Sequence, residues 1–441
     1  MNALSRSILS IAVIAATPYV AFAQGAYNTA VGTSALSNTT GNGNTAVGYQ
    51  SETENRTGTG NTAVGLNTLQ FNGDGNWNTA TGAYAQYLSF TGNWNTAAGA
   101  YSLYNNNGSW NTALGASALQ SNNSGVGNTA VGAQALFSAV TAYGNTAVGV
   151  NALFANTAYW NTAVGTYALQ ANTTGEQNTA LGVGALMGET TGKANTAVGA
   201  NALLTVTDGL DNTSVGSDAL RDLTSANGNV AVGTRALLFN RTGSFNIAIG
   251  DAAGVFTSGN LNIDIGNNGV DGESRTIRIG FDQDHTFVAG IRGTTTSFND
   301  ALPVVIDSKG QLGTISSSRR FKQDIRDMGL ASSLVMRLRP VTFRYRQPFA
   351  GGAKPLQFGL IAEEVANVLP ALVTRDATGK PDAVKYQLLP PLLLNELQKQ
   401  QRTINSQTEE LLDQAAQIAN QARQIETLHA RLERLEALLA R

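Results

Sequence analysis

Cysteine is absent from the 441 residues of this chain, and histidine occurs only at His285 and His429. Without cysteine there is no disulfide framework, no thiol nucleophile and no thiolate metal site. Two histidines so far apart offer little from which to build a histidine metal centre or a Ser-His-Asp triad. We therefore expect no metal and no cofactor.

Charged residues are scarce in the first part of the chain. Residues 24–266 contain 5 Lys or Arg and 11 Asp or Glu, whereas the whole chain has 28 basic and 30 acidic residues. No basic cluster interrupts this region, so the electrostatic footprint of a nucleic-acid-binding protein is missing, and we expect no nucleic-acid partner. After residue 266 the composition changes to that of an ordinary globular and helical protein.

Long apolar runs are also missing, except at the N-terminus. Arg6 precedes an apolar stretch over residues 8–20, and a small-x-small site ends at Ala23, before Gln24. This pattern predicts a secretory signal peptide, residues 1–23, cleaved between Ala23 and Gln24. The alternative is a membrane anchor, but the run is short and contains Pro18, and no other segment approaches the ~20 apolar residues of a spanning helix. We predict export to the cell surface or medium, with the periplasm as an alternative, and no membrane-spanning segment in the mature chain.

What the chain does contain is a short repeat. A five-residue phrase, most often Asn-Thr-Ala-Val-Gly, returns every 16 or 17 residues within residues 24–266. Its fifteen copies begin at Asn28, Asn44, Asn61, Asn78, Asn95, Asn111, Asn128, Asn145, Asn161, Asn178, Asn195, Asn212, Asn229, Asn246 and Asn262. Such a period predicts a solenoid in which each repeat is one coil stacked on its neighbours. Fifteen coils at one strand spacing each would make a rod of roughly 70 Å.

Within each phrase, strand alternation places Thr and Val on one face and Asn and Ala on the other. Val and Ile replace Thr in later copies, as at Val230 and Ile247, so we expect the β-branched face to be packed. Ala on the opposite face would leave room for another backbone. A Leu eight residues after the Asn in 11 of 15 copies predicts a second apolar column, and the closing Gly predicts a turn with positive φ or a close backbone approach.

The repeats, over residues 25–266, resemble the head repeats of YadA-like trimeric adhesins. This resemblance implies a left-handed parallel β-roll built from three chains and names no ligand, so a host-surface or matrix partner stays open. Those adhesins end in a membrane-embedded β-barrel, whereas this chain ends in a charged helical segment. An ice-binding surface of Thr rows is an alternative use of such a roll.

Residues 267–315 are predicted to form a β-rich neck. Residues 276–280, 286–291 and 303–307 alternate like short strands, and a Ser-Lys-Gly turn follows at residues 308–310. The Ile-Gly pair at Ile279 and Gly280 is interpreted as a degenerate last coil.

A serine cluster ahead of basic residues follows, at Ser316, Ser317, Ser318, Arg319 and Arg320. Taken alone, it is typical of a solvated linker that opens a helix. The next 80 residues predict a strand over residues 338–345, a short helix opening within residues 358–365, and a long helix after residues 388–390.

This order resembles the intramolecular chaperone domain of phage tail spikes and endosialidases, here over about residues 317–405, with a domain assigned to residues 316–395. The family aligns three chains of a β-rich fibre and then cuts itself away at Ser-Asp-x-Arg-Leu-Lys. Our chain matches at Ser317, Arg320 and Lys322, has Phe321 at the Leu place, and has Ser318 where the family has Asp.

The resemblance implies a Ser-Lys dyad. Ser317 would be the nucleophile and Lys322 the base, which requires that desolvation lower the pKa of a lysine, while Arg320 would orient the site or stabilise the oxyanion. The cleavage site falls at Ser317 or Ser318. The reaction would be a single-turnover maturation step.

Residues 396–441 carry a heptad. Leu397, Ile404, Leu411, Ile418, Ile425, Leu432 and Leu439 recur every seven residues. The second position of the heptad is Gln in its first four layers and Leu in the last two. This pattern predicts a coiled coil, and the alternative is one amphipathic helix packed on a globular domain. The heptad alone does not decide between two and three strands.

The sequence thus predicts a mainly β, homotrimeric, exported fibre: a β-roll, a β-rich neck, a small α+β chaperone domain and a C-terminal coiled coil. Its mature role would be adhesion or display. Two alternatives stay open, a phage-tail-fibre-like component and an uncut structural trimer without peptidase activity.

Overall fold

The structure, a computed structural model, describes residues 25–292, 294 and 296–439. The predicted signal peptide and its cleavage between Ala23 and Gln24 lie outside the described residues. The chain forms two compact units, which divide between Ile291 and Arg292. The predicted neck is therefore shared between them.

The first unit is a parallel β-solenoid with one strand per repeat. Sixteen strands form a single sheet in chain order. They are β1 Thr29–Val31, β2 Thr45–Val47, β3 Thr62–Val64, β4 Thr79–Thr81, β5 Thr96–Ala98, β6 Thr112–Leu114, β7 Thr129–Val131, β8 Thr146–Val148, β9 Thr162–Val164, β10 Thr179–Leu181, β11 Thr196–Val198, β12 Thr213–Val215, β13 Val230–Val232, β14 Ile247–Ile249, β15 Ile263–Ile265 and β16 Ile277–Ile279. Each pair of neighbours is in register, as in Thr129 opposite Thr146. The predicted solenoid is confirmed, and so is the degenerate last coil, since Ile277 lies opposite Ile263.

The prediction for the two strand faces was wrong for the single chain. The central Ala of the strands, such as Ala63 and Ala147, is fully buried, whereas the flanking Thr and Val are exposed or half-buried. Ala packs inside its own coil against the Leu column, where a larger side chain would not fit between the two walls of so narrow a coil. The β-branched face points outward.

The Leu column itself is built on an unusual backbone. All eleven leucines are fully buried with φ between 48° and 52°. A left-handed residue breaks the alternation of a strand, so Ala152 and Leu153 both point inward although they are consecutive. Left-handed backbone is unfavourable for a branched side chain, and here complete burial of that side chain offsets the cost.

The repeat Asn ties each coil to the next. The Asn161 backbone N–H donates to Asn145 Oδ1 at 2.9 Å, and Asn145 Nδ2 donates to the Ala158 carbonyl at 2.8 Å. The same pair of bonds recurs along the roll, for example at Asn61. A buried amide that both donates and accepts satisfies two backbone groups that would otherwise be unpaired. This explains why the phrase begins with Asn.

The closing Gly behaves as predicted. Gly149 has φ 139°, and a Cβ placed there would lie 2.4 Å from the carbonyl oxygen of Gly165 in the next coil. No other residue fits so close a backbone approach.

The second unit begins after Ile291. The predicted strand over residues 286–291 is wrong: among the described residues of that segment there is no strand. Three two-stranded antiparallel ribbons follow: β17 Val305–Ile306 with β18 Leu312–Gly313, β19 Val341–Phe343 with β20 Gln357–Gly359, and β21 Val373–Arg375 with β22 Pro381–Val384. The helices are α1 Ala362–Val368 and α2 Leu389–Leu439, with 3₁₀ helices at Arg319–Phe321, Gly329–Arg337, Pro370–Leu372 and Tyr386–Leu388.

The core of this unit is small. Val365, Leu372 and Val373 are buried, and residues of α2 such as Leu389 and Leu392 pack against them. The 51-residue helix α2 has no buried residue of its own among those described. Its heptad positions are therefore open in the single chain.

Candidate self-cleavage site

Ser317 lies directly before a short 3₁₀ helix. Ser318 is the N-cap of the helix Arg319–Phe321, and its hydroxyl accepts from the backbone N–H of Arg320 at 3.4 Å. Asp and Ser are both favoured N-caps because each presents a short side-chain oxygen to the first free N–H groups. Ser318 therefore performs the local backbone role that an Asp would have at this place in the motif.

The single chain does not bring the predicted dyad together. Ser317 and Lys322 are both exposed, and among the described residues no hydrogen bond joins their side chains. A lysine acts as a base only when burial disfavours its charged form. Lys322 is exposed, so the single chain does not assemble the candidate nucleophile and the candidate base.

Arg320 is held close to the serine cluster. Its Nε donates to Ser318 Oγ at 3.3 Å, and its guanidinium lies 5.6 Å from the centre of the Phe321 ring. The cation therefore stays beside the candidate scissile region, where it can stabilise a developing oxyanion. Phe321 is 72% exposed, so the motif presents an uncovered apolar side chain next to its charged groups.

A different serine and lysine do meet in this unit, at a point that sequence reasoning missed. Ser332, fully buried in the 3₁₀ helix Gly329–Arg337, donates its hydroxyl to the Glu396 carboxylate of α2. Ser332 Oγ accepts from Asn395 Nδ2 at 2.6 Å and from Lys399 Nζ at 3.3 Å. Lys399 Nζ also lies 2.7 Å from Glu396 Oε1. We call these four residues the Ser332 node.

The Ser332 node links the 3₁₀ helix Gly329–Arg337 to α2, and its geometry does not favour catalysis. The serine hydroxyl already donates to a carboxylate and the lysine ammonium contacts the same carboxylate, so no base is free to take the proton of Ser332. Lys399 and Ser332 together also lower the pKa of Glu396, which keeps the carboxylate ionised. Ser332 lies 63 to 67 residues from the other three members of the node, and no local pattern could have indicated these contacts.

Within the ranges that the structure describes, no group of three His, Asp or Glu side chains could hold a metal ion. None of the helices in the described part of the chain is long and apolar enough to cross a membrane.

Comparison with known proteins gives one finding. Residues 317–374 match the family Peptidase_S74, described as chaperone of endosialidase. No curated protein and no solved structure gives a match. The predicted chaperone domain is confirmed over that segment, which starts at the serine of the candidate dyad. A parallel β-solenoid followed by an intramolecular chaperone of this type fits a tail-spike-like or fibre-like protein.

Proposed function

We propose that this chain is an exported, homotrimeric fibre protein whose C-terminal chaperone segment directs trimer assembly and then cuts the chain near Ser317. The observation that carries this proposal is the family match that begins at Ser317, in a chain whose preceding unit is a repetitive solenoid. A roll of near-identical coils can slip by one coil at little local cost, so an alignment domain answers a physical need.

Self-association is supported by the apolar seam of α2. Its heptad residues Leu397, Ile404, Leu411 and Ile418 are between 53% and 65% exposed. An apolar stripe repeated at heptad spacing over a helix this long is stable in water when other helices cover it. A second copy of the same chain presents the same stripe, which makes a coiled coil of identical chains the natural occupant.

The roll offers a second surface for three chains to share. Its outward row of Thr, Val and Ile becomes fully aliphatic towards the C-terminal end, where Ile247 and Ile249 are 37% and 43% exposed. In a trimer of left-handed rolls, as the resemblance to adhesin heads implies, this row would lie between the chains. The partner chains would then bury the outward Thr, Val and Ile side chains that are exposed in the single chain.

In the proposed cleavage, assembly buries Lys322 and brings its neutral amine to Ser317. The serine oxygen attacks the carbonyl carbon of the scissile peptide, and its proton passes to the Lys322 amine. Arg320 stabilises the oxyanion, the lysine returns the proton to the departing backbone nitrogen, and water hydrolyses the ester. Cleavage after assembly makes the fibre kinetically stable, because the helper that would reverse folding has left.

A denaturing gel tests the cleavage. Wild type should release the 124 residues that follow Ser317, and Ser317→Ala and Lys322→Ala should both abolish that fragment. Ser316→Ala and Lys309→Ala are matched controls and should still cleave. A wild-type chain that stays intact but forms trimers would favour the uncut structural protein.

Export and oligomeric state are tested separately. The secreted protein should begin at Gln24, as read by mass spectrometry of its N-terminus. Ser317→Ala should sediment as a trimer in analytical ultracentrifugation. Protein that is never exported and is found only in assembled virions would favour the phage-tail-fibre-like alternative.

A further inference from the structure

The middle of the roll contains no charged residue for 101 positions. Residues 75–175, between Asp74 and Glu176, include no Asp, Glu, Lys or Arg, yet they hold all four tryptophans of the chain and seven of its twelve tyrosines. Every other long part of the solenoid carries charges. A surface so neutral and so aromatic is a distinct region of the rod.

The tryptophans all occupy one position of the coil, directly before the repeat Asn, which we call the corner position. Trp77, Trp94, Trp110 and Trp160 have φ between 56° and 60°, and five other coils have Gly at the corner with φ between 64° and 70°. A bulky side chain is unfavourable in this left-handed backbone. Burial does not compensate, because the four indoles are 52% to 65% exposed. Large residues that are held in a left-handed backbone and remain more than half exposed are candidates for binding.

The corner tryptophans frame an open space. On one side, the Trp77 and Trp94 rings stack with centres 5.5 Å apart, followed by Trp110 in the next coil. On the other side, Trp160 lies over Gly144, with its Cδ1 3.0 Å from where a Cβ of that glycine would stand. Between them is Gly127, which is exposed and has nothing within 4 Å of its Cβ position.

We call this space the tryptophan cleft: Trp110 and Trp160 form its walls, and Gly127, which has nothing within 4 Å of its Cβ position, forms its floor. The two walls are three coils apart, or about 14 Å at one strand spacing per coil. Tyr143 braces the Trp160 wall, with its ring 5.3 Å away and perpendicular. The cleft is thus wide enough for a ring-sized group and is closed at one end by a fixed aromatic pair.

The chemistry of the cleft selects its ligand. A pyranose ring has an apolar face of C–H groups, which packs on an aromatic face, and a rim of hydroxyls, which form hydrogen bonds with uncharged polar groups. Aromatic rings with polar tips and small amide or hydroxyl side chains are the usual composition of adaptable binding surfaces. An anionic polymer would lose hydration on binding, and residues 75–175 contain no cationic side chain to compensate for that loss. Carboxylated, sulfated and phosphorylated polymers are therefore disfavoured.

We propose that the tryptophan cleft binds a sugar residue of a neutral polysaccharide. This deepens the proposed role as a displayed fibre by naming the class of its ligand. A trimer has three copies of the cleft, one in each chain. A polymer that occupies more than one of them binds more tightly than it would to a single cleft.

Intrinsic tryptophan fluorescence provides a direct assay, because every tryptophan of the chain lies in this region. Full-length Ser317→Ala protein is titrated with soluble dextran, β-glucan, galactomannan and arabinogalactan, and with heparin and polygalacturonate as charged polymers. At least one neutral polymer should change the emission saturably. The two charged polymers should leave it unchanged at physiological salt.

Three variants locate the site. Trp110→Ala should weaken binding by about tenfold, the expected loss of one aromatic contact. Gly127→Asn should do the same by filling the floor, because Asn tolerates a left-handed backbone and its Cβ meets nothing there. Phe245→Ala is the matched control: it occupies the same corner position over Gly228, is 57% exposed and lies in the charged part of the roll.

The proposal is overturned if no neutral polymer of the panel binds, if binding is unchanged in Trp110→Ala and Gly127→Asn, or if these variants dissociate the trimer instead. The last result would assign the cleft to contacts between copies of this chain. Sugar binding is measured on uncleaved protein, so failure of this proposal and failure of self-cleavage are distinguishable.

Discussion

The two units of this chain obtain their cores in opposite ways. In the solenoid, each coil covers the Ala and Leu of its neighbours, and the column from Leu36 to Leu237 is fully buried within one chain. In the C-terminal unit, α2 exposes its apolar seam along its whole described length. The contacts within the roll therefore specify how one coil stacks on the next, but its near-identical repeats do not specify a register between separate chains. The C-terminal unit has the reverse: little core of its own and a long exposed apolar seam, which we propose is covered by copies of the same helix.

The largest effect is expected from a charged residue placed in the apolar seam of α2. Ile418→Asp places a carboxylate in the proposed coiled-coil core, where three copies would meet, and we expect the chain to become monomeric. The β signal of the solenoid in circular dichroism should persist if the roll stacks independently. Analytical ultracentrifugation measures the first effect.

Asn420→Asp is the control, since it adds the same charge two residues away at an outer heptad position. That variant should assemble like wild type. If Ile418→Asp remained trimeric, the seam would not be the alignment device, and the roll itself would have to carry assembly.

The next effect is expected inside the roll. Leu153→Ala leaves a cavity in a column that cannot collapse without shifting the coils above and below. We expect a loss of about 2–5 kcal/mol in the free energy of unfolding with no change in oligomeric state. Chemical denaturation of the uncleaved protein measures it. Val150→Ala, at a 44% exposed position of the same coil, should change the stability by no more than about 0.5 kcal/mol.

Much of the solenoid could be predicted from the sequence because its information is local and repeated. The period, the one strand per phrase, the Leu column and the turn at Gly149 all follow from spacing and residue type. The inside and outside of the strand could not be assigned. Alternation gives two faces, but β-branching is equally favourable on a face packed within a coil and on one packed against another chain.

The candidate site was predictable only as a motif. Ser317 and Lys322 were identified from their order along the chain. Whether their side chains meet depends on burial of Lys322, and burial by another part of the fold or by another chain cannot be predicted from a short motif. The Ser332 node could not be found at all, because Ser332 meets Glu396 and Lys399 only through the docking of α2. Long-range polar contacts leave no trace in periodicity.

The Ser332 node sharpens the comparison within the C-terminal unit. Ser332→Ala removes the hydroxyl that Glu396, Asn395 and Lys399 share, and since Glu396 keeps its ion pair with Lys399, the loss in the free energy of unfolding should be about 1 kcal/mol. Because the node fastens α2 to the segment that follows the 3₁₀ helix of the cleavage motif, we expect slower self-cleavage in a trimer that still forms. Ser333→Ala is the matched control, since this exposed neighbour only accepts from Lys399 at 3.1 Å. Equal cleavage rates in the two variants, followed on a gel, would show that the node has no part in positioning the motif.

The smallest effect concerns a carboxyl group inside the roll. Glu52 occupies a Leu position between Leu36 and Leu69 and is fully buried, with Asn55 Nδ2 donating to its Oε1 at 2.7 Å. Burial raises the pKa of Glu52 from 4.5 to about 8, and burial also raises that of Glu189 to about 7. Each group keeps its proton in the folded roll at pH values where the unfolded chain has lost it.

The sign of the pH dependence follows from this difference. A raised folded-state pKa gives stability that is complete below about pH 4.5 and is lost as the pH rises through 7 and 8. The unfolding temperature of the uncleaved protein should therefore fall by a few degrees between pH 5 and pH 8. Glu52→Gln should flatten part of this slope, and the further change Glu189→Gln should flatten more, whereas Glu54→Gln, at a half-buried position two residues away, should leave the slope as in wild type. An unchanged slope in the double variant would mean that both carboxyl groups reach water in the folded roll. The inner column of the solenoid would then be accessible to solvent, and the contrast with the exposed seam of the C-terminal unit would be weaker.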